Sequence, residues 1–135
     1  MPKHESIIVI AAHSDDHIIG AGGTIAKYAA EGKKVKVIVL SYGEKTHPWL
    51  KPRYSKEMRA QEAKNADKLV GCTSTFFDLK EGNFMEGYPE IKQKIVSMLK
   101  KQAPEKIFTH SNEDIHPDHR AAYKIAEDAI KEAGI

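Results

Sequence analysis

Apolar residues fall along this chain in two alternating rhythms. Ser6 to Ala12 is a nearly unbroken apolar run, too short for a helix and flanked by polar residues, the pattern of a strand buried on both faces. Behind a Gly-rich start, Ile25, Tyr28 and Ala29 then recur at helical spacing, and Gly32 stands where a helix C-cap is expected. Val35 to Leu40 reads as a second strand, and Ser55 to Val70 as a helix with Ser55 as N-cap, Ala63 and Ala66 inside and Gly71 closing it. Thr73 to Asp78 follows as a short third strand. Ile91, Ile95, Met98 and Leu99 mark the buried stripe of a helix that begins near Pro89 and stops before Pro104. Lys106 to Thr109 makes a fourth strand, and Asp118 to Ala133 a last helix with Ala122, Ile125, Ala126, Ala129 and Ile130 on one face.

Strict strand–helix alternation predicts an α/β fold, a mostly parallel sheet between two layers of helices, because right-handed crossovers place helices on the sheet faces. The expected strand order is 3-2-1-4, and the whole chain, 1–135, is expected to form one domain. Neither a repeat nor a low-complexity segment interrupts it. The two long connections, Tyr42 to Tyr54 and Lys80 to Tyr88, carry Gly, Pro and aromatic residues, as functional loops often do.

Composition narrows the picture without deciding it. Apolar residues make up 41% of the 135 and charged residues 30%, with no run long enough to span a bilayer and no signal-peptide pattern, so a cytoplasmic protein without membrane insertion is expected. The net charge of +2 comes from Lys and Glu mixed over helix faces, and no basic block offers itself to nucleic acid. Cys72 is the only cysteine, which rules out an intrachain disulfide and a thiolate-rich zinc site; following Leu69-Val70-Gly71, it reads as a small buried thiol.

Chemistry concentrates at two strand ends. His13-Ser14-Asp15-Asp16-His17 begins where the first strand stops, and His110, Asp114, His116, Asp118 and His119 crowd the stretch after the fourth. In the expected order, strands 1 and 4 are neighbours, and the crevice at their carboxyl ends is where such sheets bind ligands. Two imidazoles and a carboxylate make an open, catalytic kind of metal site, with a fourth position for water. Of the adjacent aspartates Asp15 and Asp16, one supplies a further carboxylate as general base, and their mutual repulsion itself calls for a cation. Each cluster alone also reads as an ordinary helix start, Asp16 and Asp118 favouring the dipole and Pro117 the first turn. Both clusters falling at paired strand ends favours one metal-dependent hydrolytic site. Gly20-Ala21-Gly22-Gly23-Thr24 lacks the spacing of a nucleotide fingerprint and is expected to allow close packing of its helix on the metal loop.

These residues resemble the LmbE-like or PIG-L-type zinc-dependent N-acetylglucosaminyl deacetylases. Ala12-His13-Ser14-Asp15-Asp16 with the following Gly-rich stretch is similar to the family's first motif, commonly Ala-His-Pro-Asp-Asp, and His116-Pro117-Asp118-His119 stands as its second. Arg59-Ala60-Gln61-Glu62, with Leu69-Val70-Gly71, is similar to a helix the family carries between them. The resemblance implies a Rossmann-like fold and removal of the N-acetyl group from an N-acetylglucosamine-type sugar or conjugate. It implies zinc, or another divalent transition metal, on His13, Asp16 and His119, with Asp15 activating water. It further implies that His116, supported by Asp118, stabilises the oxyanion or protonates the leaving amine, and that Arg59 holds substrate. Ser14 departs from the usual Pro, and His17 from an often acidic residue. Relatives usually continue beyond the second motif with a segment that walls the pocket, and 1–135 stops short of it, so the expectation is either a second copy of the chain as the partner that supplies the wall or a sequence that is a fragment. A metal-containing module that binds a sugar or nucleotide without turnover is the alternative. His47-Pro48-Trp49 and His110 are further candidates for the pocket lining.

Overall fold

A computed structural model describes residues 5–42, 49 and 51–135. It contains β1 (Ser6–Ala11), α1 (Asp16–Ala30), β2 (Lys34–Val39), α2 (Pro52–Val70), β3 (Thr73–Phe76), α3 (Phe84–Gln102), β4 (Lys106–Phe108) and α4 (Pro117–Ala133). The four strands form one sheet in the order β3-β2-β1-β4, every pairing parallel. The predicted α/β architecture and strand order are therefore those of the structure.

β1 is central and buried along its whole length, so its side chains must be apolar in both directions. Ile8, Ile10 and Ala12 point to one face, where Phe84, Ile95 and Leu99 of α3 and Ala122, Ile125 and Ala129 of α4 cover them. Ile7, Val9 and Ala11 point to the other, packing with Ile25 of α1, Val35, Val37 and Val39 of β2, and Cys72. Each fully buried Ile or Leu contributes on the order of 1.5–3 kcal/mol by leaving water. This double-sided core holds the ends of β1 and β4 in fixed register, Ile7 opposite Lys106 and Val9 opposite Phe108.

Three local expectations need correction. α2 begins at Pro52 with Lys51 as its N-cap, and Ser55 is not a cap but a fully buried residue inside the helix; proline at the first turn starts the helix earlier because its missing N–H would have been unpaired there anyway. α3 begins at Phe84 and carries Pro89 within it, since burial of Phe84 and Tyr88 outweighs the one hydrogen bond that Pro89 cannot donate. The glycines of α1 do not serve close packing: a Cβ at Gly20 or Gly23 would meet nothing within 4 Å, and one at Gly22 only the Ile18 side chain at 3.7 Å. Gly71 does close α2 as expected, with φ +88° and its N–H bonded to the Asp67 carbonyl at 2.8 Å.

Candidate functional site

The loop leaving β1 and the loop leaving β4 meet at the carboxyl edge of the sheet, and Asp16 lies at their centre. Its Oδ2 accepts the backbone N–H of His13 at 2.8 Å and stands 3.3 Å from His13 Nδ1, 3.3 Å from His119 Nε2 and 3.5 Å from His110 Nε2. Local geometry places it there, because the turn closed by Asp16 N–H on the His13 carbonyl starts α1 directly after the strand. An acidic first turn suits the helix dipole, so the structural role of Asp16 and its place in the cluster coexist.

His13 is held from two sides. Its Nε2 donates to Asp118 Oδ2 at 2.9 Å, and Glu81 Oε1 lies 3.9 Å away. Burial alone would lower its pKa, but the hydrogen bonds and charges of Asp16 and Asp118 outweigh this and raise it to about 9. For Asp16, burial pushes upward and the His13 contacts, with His119, push further down, leaving its carboxyl below the ordinary range. Such a pocket of carboxylates favours positive charge.

Asp118 is buried, and its carboxylate also accepts the Gly82 N–H at 2.9 and 3.2 Å. His116 caps α4: its Nδ1 accepts the Asp118 N–H at 3.0 Å. The contact between Asp118 and His116 thus runs through the backbone amide, and the Asp118 side chain faces His13. Asp114 Oδ1 accepts the His116 N–H at 2.8 Å and Oδ2 lies 3.1 Å from His119 Nδ1, contacts that hold its carboxyl below the usual range.

Donor chemistry narrows the choice of metal ligands. His110 Nε2 already accepts the Ala12 N–H at 3.0 Å, and burial and then His119 depress its pKa, so its lone pair is engaged. His13, Asp16 and His119 present ligand atoms within 4.8 Å of one another. These residues fit a metal: the site gathers imidazoles and carboxylates around a point that already prefers a cation.

Asp15, the N-cap of α1, keeps a side chain 51% exposed beside this cluster, and Arg59 Nη2 approaches its Oδ1 at 3.4 Å. Arg59 is mostly buried, and its Nε has no hydrogen-bond partner among the described residues. Asp15 and Arg59, with Ser14, Ile19 and Glu62, line a cleft of about 170 Å³ between α1 and α2. A wider depression of about 510 Å³ over Tyr42, Arg53, Lys56 and Asp78 is lined by none of the clustered histidines. Of the other candidates, His47 and Pro48 lie outside the described residues, and Trp49 is exposed.

Sequence reasoning missed Glu81 and Gly82, which reach the site because the chain after β3 folds back over the sheet edge, with Phe77 N–H on the Val39 carbonyl and Leu79 N–H on the Leu40 carbonyl. It also missed the partner of His17, which donates from Nε2 to Asp67 Oδ1 at 2.7 Å inside the protein.

Residues 8–130 match the family described as PIG-L, GlcNAc-PI de-N-acetylase. The chain belongs to the PIG-L family. A 4-oxalmesaconate hydratase from Pseudomonas putida is 31% identical over 93% of this PIG-L chain and 51% of its own length. A 1D-myo-inositol 2-acetamido-2-deoxy-alpha-D-glucopyranoside deacetylase from Rhodococcus opacus is 26% identical over 95% of this chain and 54% of its own. Among solved structures, an N,N'-diacetylchitobiose deacetylase from Pyrococcus horikoshii superposes with a TM-score of 0.84 at 23% identity, covering 96% of this chain and 50% of the other, a likeness of fold. The PIG-L chain spans about half the length of these proteins. No helix among its described residues is long and apolar enough to cross a membrane.

Proposed function

We propose that this chain is a metal-dependent hydrolase that removes the N-acetyl group from an N-acetylglucosamine-type amino sugar or conjugate, with zinc on His13, Asp16 and His119. The observation that carries the reading is Asp16 set 3.3 Å from each of two imidazoles with a second, exposed carboxylate on the residue before it. Nitrogen and oxygen ligands with an open position suit zinc, which supplies Lewis acidity, acidifying water and polarising a carbonyl oxygen.

The remaining work belongs to the chain's own groups. Asp15, half exposed beside the ligands, takes the proton from the attacking water. His116 Nδ1 accepts the Asp118 N–H, which leaves an N–H on Nε2 to donate a hydrogen bond to the oxyanion; the proton that Asp15 took from water passes to the leaving amine, yielding acetate and a free amine. Asp118 acts one step back, fixing His13 against the Gly82 loop. Arg59, which lines the cleft beside Asp15, binds a hydroxyl or carbonyl oxygen of the sugar.

The test is metal content and acetate release from N-acetylglucosamine derivatives by wild type and Asp15→Asn. The variant is expected to keep its metal and lose about 10²–10⁴-fold in turnover, the usual worth of a positioned base. Normal turnover would remove Asp15 from this role. Sugar binding without acetate would favour a non-hydrolytic module.

A hydratase is the second reading, favoured by the 31% identical Pseudomonas putida relative. Adding water across a carbon–carbon double bond needs the same activated water and acid, with Arg59 then facing a substrate carboxylate. Loss of the substrate's unsaturation without acetate release, followed by NMR, separates it from deacetylation.

A further inference from the structure

Asp114 precedes the second motif in the loop between β4 and α4, and its two carboxylate oxygens serve different neighbours. Oδ1 accepts the backbone N–H of His116 at 2.8 Å, which closes a tight local turn. Oδ2 faces His119 Nδ1 at 3.1 Å. The loop is fixed in turn by Arg120, whose Nη1 donates to the Asp114 carbonyl at 2.6 Å. The His119 ring stacks on His110 at 3.9 Å and on His116 at 4.7 Å, with interplanar angles of 16° in both cases. Stacking sets the plane of the ring, and Asp114 sets its rotation within that plane.

An ionised carboxylate can only accept hydrogen bonds. His119 must therefore carry its proton on Nδ1, and in the neutral ring Nε2 keeps its lone pair. Nε2 is the nitrogen that faces Asp16, at 3.3 Å. We infer that Asp114 is a positioning residue that locks His119 in the Nδ1–H tautomer and thereby presents Nε2 as the donor to a divalent metal. The inference rests on the metal-dependent reading above for its last step, but the tautomer lock stands on hydrogen-bond geometry alone. A carboxylate behind a ligating imidazole raises ligand basicity and fixes orientation, and losing it typically costs about 10–100-fold in metal affinity.

A purely local role would explain Oδ1 and leave Oδ2 without purpose, and Asp114→Asn separates the two. Asparagine supports the turn at His116 with its single carbonyl oxygen. Its amide then points at His119 Nδ1 and donates, which forces the proton onto Nε2 and removes the lone pair from the metal position. Aspartate-to-asparagine changes beside a functional histidine act through the wrong tautomer in this way.

The experiment has two readouts other than turnover. In ¹⁵N-histidine-labelled, metal-free protein at alkaline pH, long-range ¹H–¹⁵N spectra report the His119 tautomer, with His119→Gln for assignment. Competition titration with zinc alone reports affinity. Wild type is expected to show Nδ1–H, and Asp114→Asn to show Nε2–H with zinc affinity about 10–100-fold weaker and an unchanged circular dichroism spectrum. A wild-type Nε2–H tautomer, or an Asp114→Asn protein that binds zinc as tightly as wild type, overturns the inference. Should the variant fail to fold, the wild-type tautomer alone decides. If wild type bound no divalent metal, the proposed function would fall, while the tautomer would still report on Asp114.

Discussion

His13 and Asp118, 105 residues apart in the chain, meet at 2.9 Å in a largely buried contact between half-buried His13 Nε2 and buried Asp118 Oδ2. The contact exists because β1 and β4 are hydrogen-bonded neighbours, so the first turn after each strand opens into the same crevice. It also recruits a third segment, since the Gly82 N–H donates to the same carboxylate. One buried aspartate thus joins the loops after β1, β3 and β4. Its charge, together with that of Asp16, raises the basicity of His13.

That basicity gives the metal-free protein a signature in pH. The pKa of His13 is raised from 6.5 to about 9, so the protonated ring stabilises the fold fully below about pH 6.5, and the contribution is lost as pH rises through about 9. At 1.36 kcal/mol per unit the shift is worth at most about 3 kcal/mol. Urea denaturation of chelator-treated protein should therefore show a lower midpoint at pH 9.5 than at pH 6. With zinc bound, the cation takes the place of the proton and the alkaline decline should shrink. On the acid side the sign reverses: Asp16 and Asp67 are depressed, so their contribution is lost as pH falls through their folded-state values.

Much of this arrangement is legible in sequence because the fold repeats one unit. Apolar runs of strand length at Ser6–Ala11 and Lys34–Val39, separated by helical stripes, leave few topologies, and adjacency of strands 1 and 4 brings His13 to His119 without further information. What sequence conceals depends on tertiary return paths. Nothing local at Glu81 or Gly82 says that the chain after β3 crosses back over β2 to reach Asp118. His17 and Asp67 sit on different helices, and neither spoils the pattern of its own. The early start of α3 was hidden because Pro89 looked like a beginning, whereas the burial of Phe84 decides it.

The His17–Asp67 pair is a candidate for large stability effects. Asp67 accepts from His17 at 2.7 Å and from Cys72 Sγ at 3.3 Å away from solvent, and from Ser74 Oγ at 2.5 Å at a half-buried position. Asp67→Ala leaves those donors without an acceptor and should cost on the order of 1–3 kcal/mol for each buried donor left unpaired. Adding His17→Leu should recover part of that loss, because the orphaned imidazole is removed too. Denaturant titrations of the single and double variants give the sign of the coupling directly; a double variant that is less stable than Asp67→Ala would count against the pair acting as a unit.

Two glycine-to-alanine changes should act in opposite directions. Gly71 has φ +88°, and a Cβ there would come within 2.8 Å of the Ala29 side chain, so Gly71→Ala strains both backbone and packing and should lower the melting temperature by several degrees, on the order of 1–3 kcal/mol. Gly23 lies inside α1 with open space around it. Gly23→Ala relieves the entropic cost of glycine in a helix and should raise stability by up to about 1 kcal/mol. Thermal melts of the two variants make the comparison.

Asp118→Asn tests whether the buried aspartate acts through charge or through shape. The asparagine carbonyl can still accept the Gly82 N–H, so the loop after β3 should stay in place and the fold should survive. What disappears is the negative charge at 2.9 Å from His13 Nε2, one of the groups that keep that ring protonated. His13 then titrates at lower pH, and the alkaline loss of stability in metal-free protein should become smaller and be complete at a lower pH than in wild type. Zinc affinity should fall about 10–100-fold as well, since the group that orients a ligand has lost its charge. Urea midpoints against pH and zinc competition titrations, run on the same preparation, measure both. An Asp118→Asn protein with wild-type pH dependence would show that Asp16 alone sustains the charge on His13.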